Sequence, residues 1–76
     1  MEADHTLDCR GNACPMPIVK AKLSLEHMET GQVLEIIADD PAARTDFPSY
    51  CAAAGEKLIF KEEREGVFYF YIEKKK

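Results

Sequence analysis

Three residues of this 76-residue chain could do sulfur chemistry: Cys9, Cys14 and Cys51. Of these, Cys14 stands in the most distinctive setting, Gly11-Asn12-Ala13-Cys14-Pro15-Met16-Pro17. A thiolate can attack another sulfur when it has access and a suitable leaving group, with no further catalytic apparatus. There is no Cys-x-x-Cys, so a thioredoxin-like dithiol is unsupported. The odd number of thiols leaves at least one unpaired. Neither His5 nor His27 stands at a metal-ligand spacing or in a recognisable Cys–His pair, and the spacing of Cys9, Cys14 and Cys51 matches no zinc module.

The prolines narrow the chemistry. Pro15 and Pro17 fall in the first turn of an expected helix, where a missing N–H costs little. A phosphate-binding helix start needs several backbone N–H groups, and each proline removes one. The stretch is better suited to presenting one side chain rigidly. With Cys14 as the expected N-cap, its sulfur would lie at the positive end of the helix dipole. That effect amounts to about 0.3–1 kcal/mol at a partly exposed end. It would lower a thiol pKa of about 8.5 by less than one unit. The result is an available, moderately activated thiol. Arg10 is the accessory candidate, able to add positive charge near the thiol.

The surrounding sequence must position this thiol. Residues 5–10 alternate, with Leu7 and Cys9 on one side and Thr6 and Asp8 on the other, which predicts a half-buried strand ended by Gly11-Asn12. Ile18, Ala21, Leu25 and Met28 then recur at helical spacing, with Lys20, Ser24 and His27 opposite. This predicts a helix over 15–30 stopped by Gly31. Residues 33–39, VLEIIAD, read as a strand. Asp40-Pro41, and Asp46 ahead of Pro48, suggest a short or broken helix over 42–54, closed by Gly55. Strands over 57–63 and 67–73 flank Arg64-Glu65-Gly66, a hairpin signal.

The order βαβαββ implies an α/β two-layer sandwich. A four-stranded mixed sheet would carry both helices on one face, since two helices cannot cover both. The first two strands should be parallel, joined by a right-handed crossover, and the last two antiparallel. Phe68, Phe70 and Ile72 should face the helices and leave Tyr69 and Tyr71 on the open face.

The length fits a single domain over residues 1–76. Apolar residues make up 46% and charged residues 32%, which argues against disorder. A formal net charge of -4 disfavours a general nucleic-acid binder. The Lys74-Lys75-Lys76 run reads as a solvated tail. No apolar run reaches transmembrane length, and the acidic, polar start is unlike a signal peptide. A cytoplasmic, reducing location is the expectation.

Several stretches together resemble the TusA/SirA-like family of small sulfur-carrier proteins. They are Leu7-Asp8, Gly11, Cys14-Pro15-Met16-Pro17, Met28-Glu29-Thr30-Gly31, the run IIADDPA over 37–43, and Asp46-Phe47-Pro48 with Cys51. The resemblance covers nearly the whole chain. It departs at Gly55-Glu56-Lys57-Leu58, where many relatives have Gly-His-Glu-Leu. The resemblance implies the same βαβαββ fold and a sulfurtransferase-type carrier. Sulfur would be held as a covalent persulfide on Cys14, with no separate cofactor. The implied donor is a cysteine desulfurase or rhodanese-type protein, and the implied acceptor a DsrE-like relay protein. Outlets in relatives include 2-thiouridine formation in tRNA and sulfur oxidation.

Beside Cys14, then, Gly11, Pro15 and Pro17 are expected to position the thiol. Cys9 and Cys51 are expected in the core. Asp40 reads as a cap rather than half of a carboxylate pair with Asp39. A monomer is expected, because a carrier must expose its site to successive partners. Two other readings remain open at this level: a thiol redox protein using Cys9 and Cys14, and a non-catalytic regulatory or interaction module.

Overall fold

The computed structural model describes residues 2–13 and 15–76. Six elements follow in the order β1 (His5–Asp8), α1 (Met16–Glu26), β2 (Val33–Ala38), α2 (Ala43–Ala54), β3 (Lys57–Arg64) and β4 (Val67–Glu73). The sheet order is β1-β2-β4-β3. β1 runs parallel to β2, with Leu7 opposite Ile36, while β4 is antiparallel to both β2 and β3. This is the expected four-stranded mixed sheet.

Strict alternation places the core. Leu34, Ile36 and Ala38 of β2 are buried, as are Phe68, Phe70 and Ile72 of β4. The intervening residues are only partly covered. Ala21 and Leu25 of α1 and Ala43, Phe47 and Cys51 of α2 complete the same cluster, so both helices lie on one face. The Phe47 ring stacks on Phe70 at 4.8 Å between centroids, which clamps α2 to the middle of the sheet.

Several boundaries differ from the sequence reading. β1 ends at Asp8, two residues early, although the Cys9 N–H still bonds the Ile37 carbonyl at 2.6 Å. α1 starts later and ends earlier than 15–30. Its N-cap position falls on Pro15 rather than Cys14, and Pro15 offers no side-chain cap. At the other end His27 is the C-cap. The chain tightens there, with His27 N–H bonded to Ser24 O and Met28 N–H to Leu25 O. Gly31 therefore closes no helix. It lies in the following turn at φ +93° and donates to Lys74 O, tying α1–β2 to the chain end.

α2 is one continuous helix with Pro48 inside it, not a broken one. A proline cannot donate to the carbonyl four residues back. The helix persists because Ala43, Phe47 and Cys51 bury one stripe at four-residue spacing. Gly55 closes it in the left-handed conformation at φ 76°, as expected. Asp40 does not cap the helix directly. Its carboxylate accepts the Ala42 N–H at 3.0 Å, a local turn one step before the helix, whose N-cap position is Ala42.

The β3–β4 hairpin turns on two residues, Glu65 (φ 51°) and Gly66 (φ 79°). Positive φ at both central positions is the type I′ turn that matches strand twist. A register shift between Leu58 and Phe60 then moves Phe60 opposite Tyr71 on the open face. The two rings meet edge to face at 5.6 Å.

Candidate functional site

The loop between β1 and α1 is held by a series of specific bonds. The Asp8 carboxylate accepts the Arg10 backbone N–H at 3.0 Å and the Arg10 guanidinium at 3.0 and 2.8 Å. These hydrogen bonds hold Asp8 well below the usual carboxylate range, at about 2. The same pairing raises Arg10. Arg10 is thus engaged by its own carboxylate at an exposed strand end.

Next comes a turn. Asn12 N–H bonds the Cys9 carbonyl at 3.1 Å, and Gly11 at the third position has φ +85°. That left-handed value is what a type II turn requires there, and glycine adopts it without strain. The Gly11 N–H then donates to Asp39 Oδ1 at 3.0 Å, fastening the loop to the end of β2. Asp39 is therefore a loop anchor.

The next anchor comes from α1. Lys20 Nζ donates to Asn12 Oδ1 at 2.7 Å in a partly buried setting. Helical side chains lean toward the N-terminus, so a lysine one turn into the helix reaches back over its start. The sequence reading had put Lys20 on the solvent side and missed this role, as it missed Asn12 and Asp39. The available signal was a long cation at the fifth position of a helix whose first turn lacks N–H donors.

Cys14 lies outside the described residues. Its neighbours in sequence are held on both sides. Ala13 O accepts the Met16 N–H at 2.9 Å, and Pro15 O accepts the Val19 N–H at 3.0 Å. Of the first-turn donors, the Met16 N–H is thus occupied and Pro17 has none. This helix start is poorly equipped to cradle an anion, as the prolines suggested. The two prolines do different jobs. Pro15 is exposed at the cap, while Pro17 is buried beside Asp40, Ala43, Asp46 and Phe47, where it packs the start of α1 against α2.

The other two cysteines are free thiols sealed in the core. Cys9 is 0% exposed, and burial pushes its thiol up, opposed in part by the Lys20 charge. Burial, with help from Glu56, pushes Cys51 up to about 11. A thiol that is buried and protonated is a poor nucleophile.

Outside the loop, α1 shows an apolar stripe to solvent. Met16, Val19 and Leu23 are 44%, 42% and 53% exposed. Their spacing puts them on one face, beginning two residues beyond Cys14. His5 and His27 flank a shallow groove at the far end of this face, with Leu23 and Met28. Among the described residues no group of three or more His, Cys, Asp or Glu side chains could hold a metal ion. No helix is long and apolar enough to cross a membrane.

Comparison with known proteins agrees with this arrangement. The family model described as Sulfurtransferase TusA matches residues 5–74. The chain is 42% identical over 71 residues to the sulfur carrier protein TusA of Allochromatium vinosum, covering 93% of each chain. It is 36% identical over 74 residues to the putative sulfur carrier protein YrkI of Bacillus subtilis, covering 97% of this chain and 99% of that one. The crystal structure of a SirA-like protein from Desulfitobacterium hafniense superposes with a TM-score of 0.79 at 27% identity, over 95% of this chain and 99% of the other. The family match spans both helices and all four strands, and with them the sequence Cys14-Pro15-Met16-Pro17: the chain belongs to the TusA family of sulfur carriers.

Proposed function

We propose that this protein carries sulfur as a persulfide on Cys14, taken from one protein and delivered to another. The observation that supports it most is family membership over 5–74 combined with a Cys14 whose flanking residues are pinned at the start of α1. In the first step the Cys14 thiolate attacks the outer sulfur of a donor persulfide. A new S–S bond forms on Cys14, the donor's S–S bond breaks, and the electron pair leaves on the donor thiolate. In the second step an acceptor thiolate attacks the outer sulfur on Cys14. That bond breaks in turn and the Cys14 thiolate is regenerated. Neither step consumes an oxidant or reductant.

The donor is a cysteine desulfurase or a rhodanese-type protein, and the acceptor a DsrE-like relay protein. The sulfur would leave toward tRNA 2-thiouridine or sulfur oxidation. The protein works in the cytoplasm, where thiols stay reduced. It works as a monomer, so that the Met16, Val19 and Leu23 stripe can meet each partner in turn. Such a partner covers the stripe while its own thiol reaches Cys14. Arg10, held by Asp8, serves the loop's geometry more than the sulfur's charge.

Isotopically labelled sulfur tests the relay. Label loaded on Cys14 moves to an acceptor thiol on mixing, and the carrier returns to the free thiol. Label that stays on Cys14 with every acceptor class would contradict the carrier role. A redox role through Cys9 and Cys14 is disfavoured by the complete burial of Cys9.

A further inference from the structure

Arg10 was the expected source of positive charge near Cys14, and it is tied up by Asp8. Lys20 is a second cation that bonds this loop. None of the ion pairs among the described residues involves it. Its Nζ is held at 2.7 Å from Asn12 Oδ1. Asn12 precedes Cys14 by two residues, so covalent reach alone keeps their Cα atoms within about 7 Å. The Lys20 charge also acts on Cys9, at the opposite end of the same loop. The Lys20 ammonium is thus held against the turn that runs from Cys9 to Asn12.

We propose that Lys20 is a positioning residue for the sulfur-transfer site: its ammonium clamps Asn12, and through it the loop, while its charge favours the anionic form of Cys14. The inference rests on the carrier reading given above. Attack on sulfur requires the thiolate, so a cation fixed beside the loop raises the reactive fraction near neutral pH. A weak helix dipole behind a start short of N–H donors leaves room for such a charge.

Other charged groups face this loop. The Asp8–Arg10 pair stands at the end of β1, and Asp39 is bonded to Gly11 at the end of β2. Asp40 bonds Ala42, and Asp46 of α2 lies beside Pro17. These carboxylates favour the neutral thiol and oppose Lys20. They are unchanged in Lys20 variants, so a difference between variants reads the lysine alone.

The test is the pH dependence of Cys14 alkylation by iodoacetamide, which forms a thioether and releases iodide. It is run on the full chain, with the modified site confirmed by peptide mass. Lys20→Gln keeps a side-chain N–H donor for Asn12 but removes the charge. Lys20→Arg keeps the charge. The expected result is a midpoint raised by about half a unit to one unit in Lys20→Gln, or about three- to tenfold slower alkylation at neutral pH, and a near-normal midpoint in Lys20→Arg. An unshifted midpoint in Lys20→Gln, with unchanged thermal unfolding, overturns the proposal. An equal shift in both variants overturns it too, since shape rather than charge would then be responsible. Sulfur loading from a donor, measured on the same samples, reports on the carrier reading independently. A protein that never accepts sulfur but shows the midpoint shift would refute that reading and leave the Lys20 effect standing.

Discussion

At the scale of the residue, burial decides the chemistry of two of the three cysteines. Cys9 and Cys51 are enclosed, and the cost of an ion in the core keeps them protonated. Cys51 makes this measurable. Its thiol pKa is raised from 9.0 to about 11 on folding. The native state therefore holds a proton that the unfolded chain gives up as pH climbs above 9.0. Stability from this group is fully present below that pH and is lost as pH rises through about 11. Denaturant midpoints followed between neutral and alkaline pH should fall in this window, and Cys51→Ala should flatten the fall. Equal alkaline loss in both proteins would show that Cys51 is not the group responsible.

At the scale of the element, the pattern of apolar residues was enough for the element order, for the inward face of β4, and for Ala21 and Leu25 on α1. What periodicity could not show was where backbone bonds are diverted. α1 stops at Glu26 because its last turn tightens and Lys74 Nζ takes the Leu25 carbonyl, a partner 49 residues away. The register shift in β3 is equally hidden, because it depends on pairing with β4 and not on local propensity. It puts Glu63 on the helix side, where Arg44 reaches it with bonds of 3.1 Å to both oxygens. The site was legible in part for the same reason. Gly11, Pro15 and Pro17 advertise their backbone roles by residue type, whereas the Lys20–Asn12 and Gly11–Asp39 bonds depend on the fold. The hairpin offers an element-level prediction. Glu65 occupies a left-handed position that asparagine tolerates better. Glu65→Asn should stabilise the protein by about 0.5 kcal/mol, raising the melting temperature by roughly 2–4 °C. A lower melting temperature would mean that Glu65 contributes something other than turn geometry.

At the scale of the whole molecule, the fold sets an exposed apolar stripe apart from the core. The four-stranded sheet anchors one end of the β1–α1 loop through Cys9, Ile37 and Asp39, while α1 holds the other end. The stripe of Met16, Val19 and Leu23 runs away from that loop, clear of the core. A partner docking there would bury apolar area next to the β1–α1 loop, and a charge placed in the stripe would oppose it. Leu23→Asp should slow sulfur transfer from a protein donor by about tenfold, some 1.4 kcal/mol, at subsaturating carrier. Transfer from a small-molecule persulfide should be unaffected, since it needs no docking surface. Equal slowing with both donors would place the defect in the thiol and not in docking.

The most direct measurement is the intact mass of the protein after incubation with a cysteine desulfurase and cysteine, or with a rhodanese and thiosulfate. Cys14→Ser, Cys9→Ser and Cys51→Ser are run beside the wild type. One added, reductant-sensitive sulfur is expected, lost in Cys14→Ser and retained in the other two variants. No added sulfur from either donor, with Cys14 fully reactive toward iodoacetamide, would contradict the carrier role and point to an interaction module on the same fold.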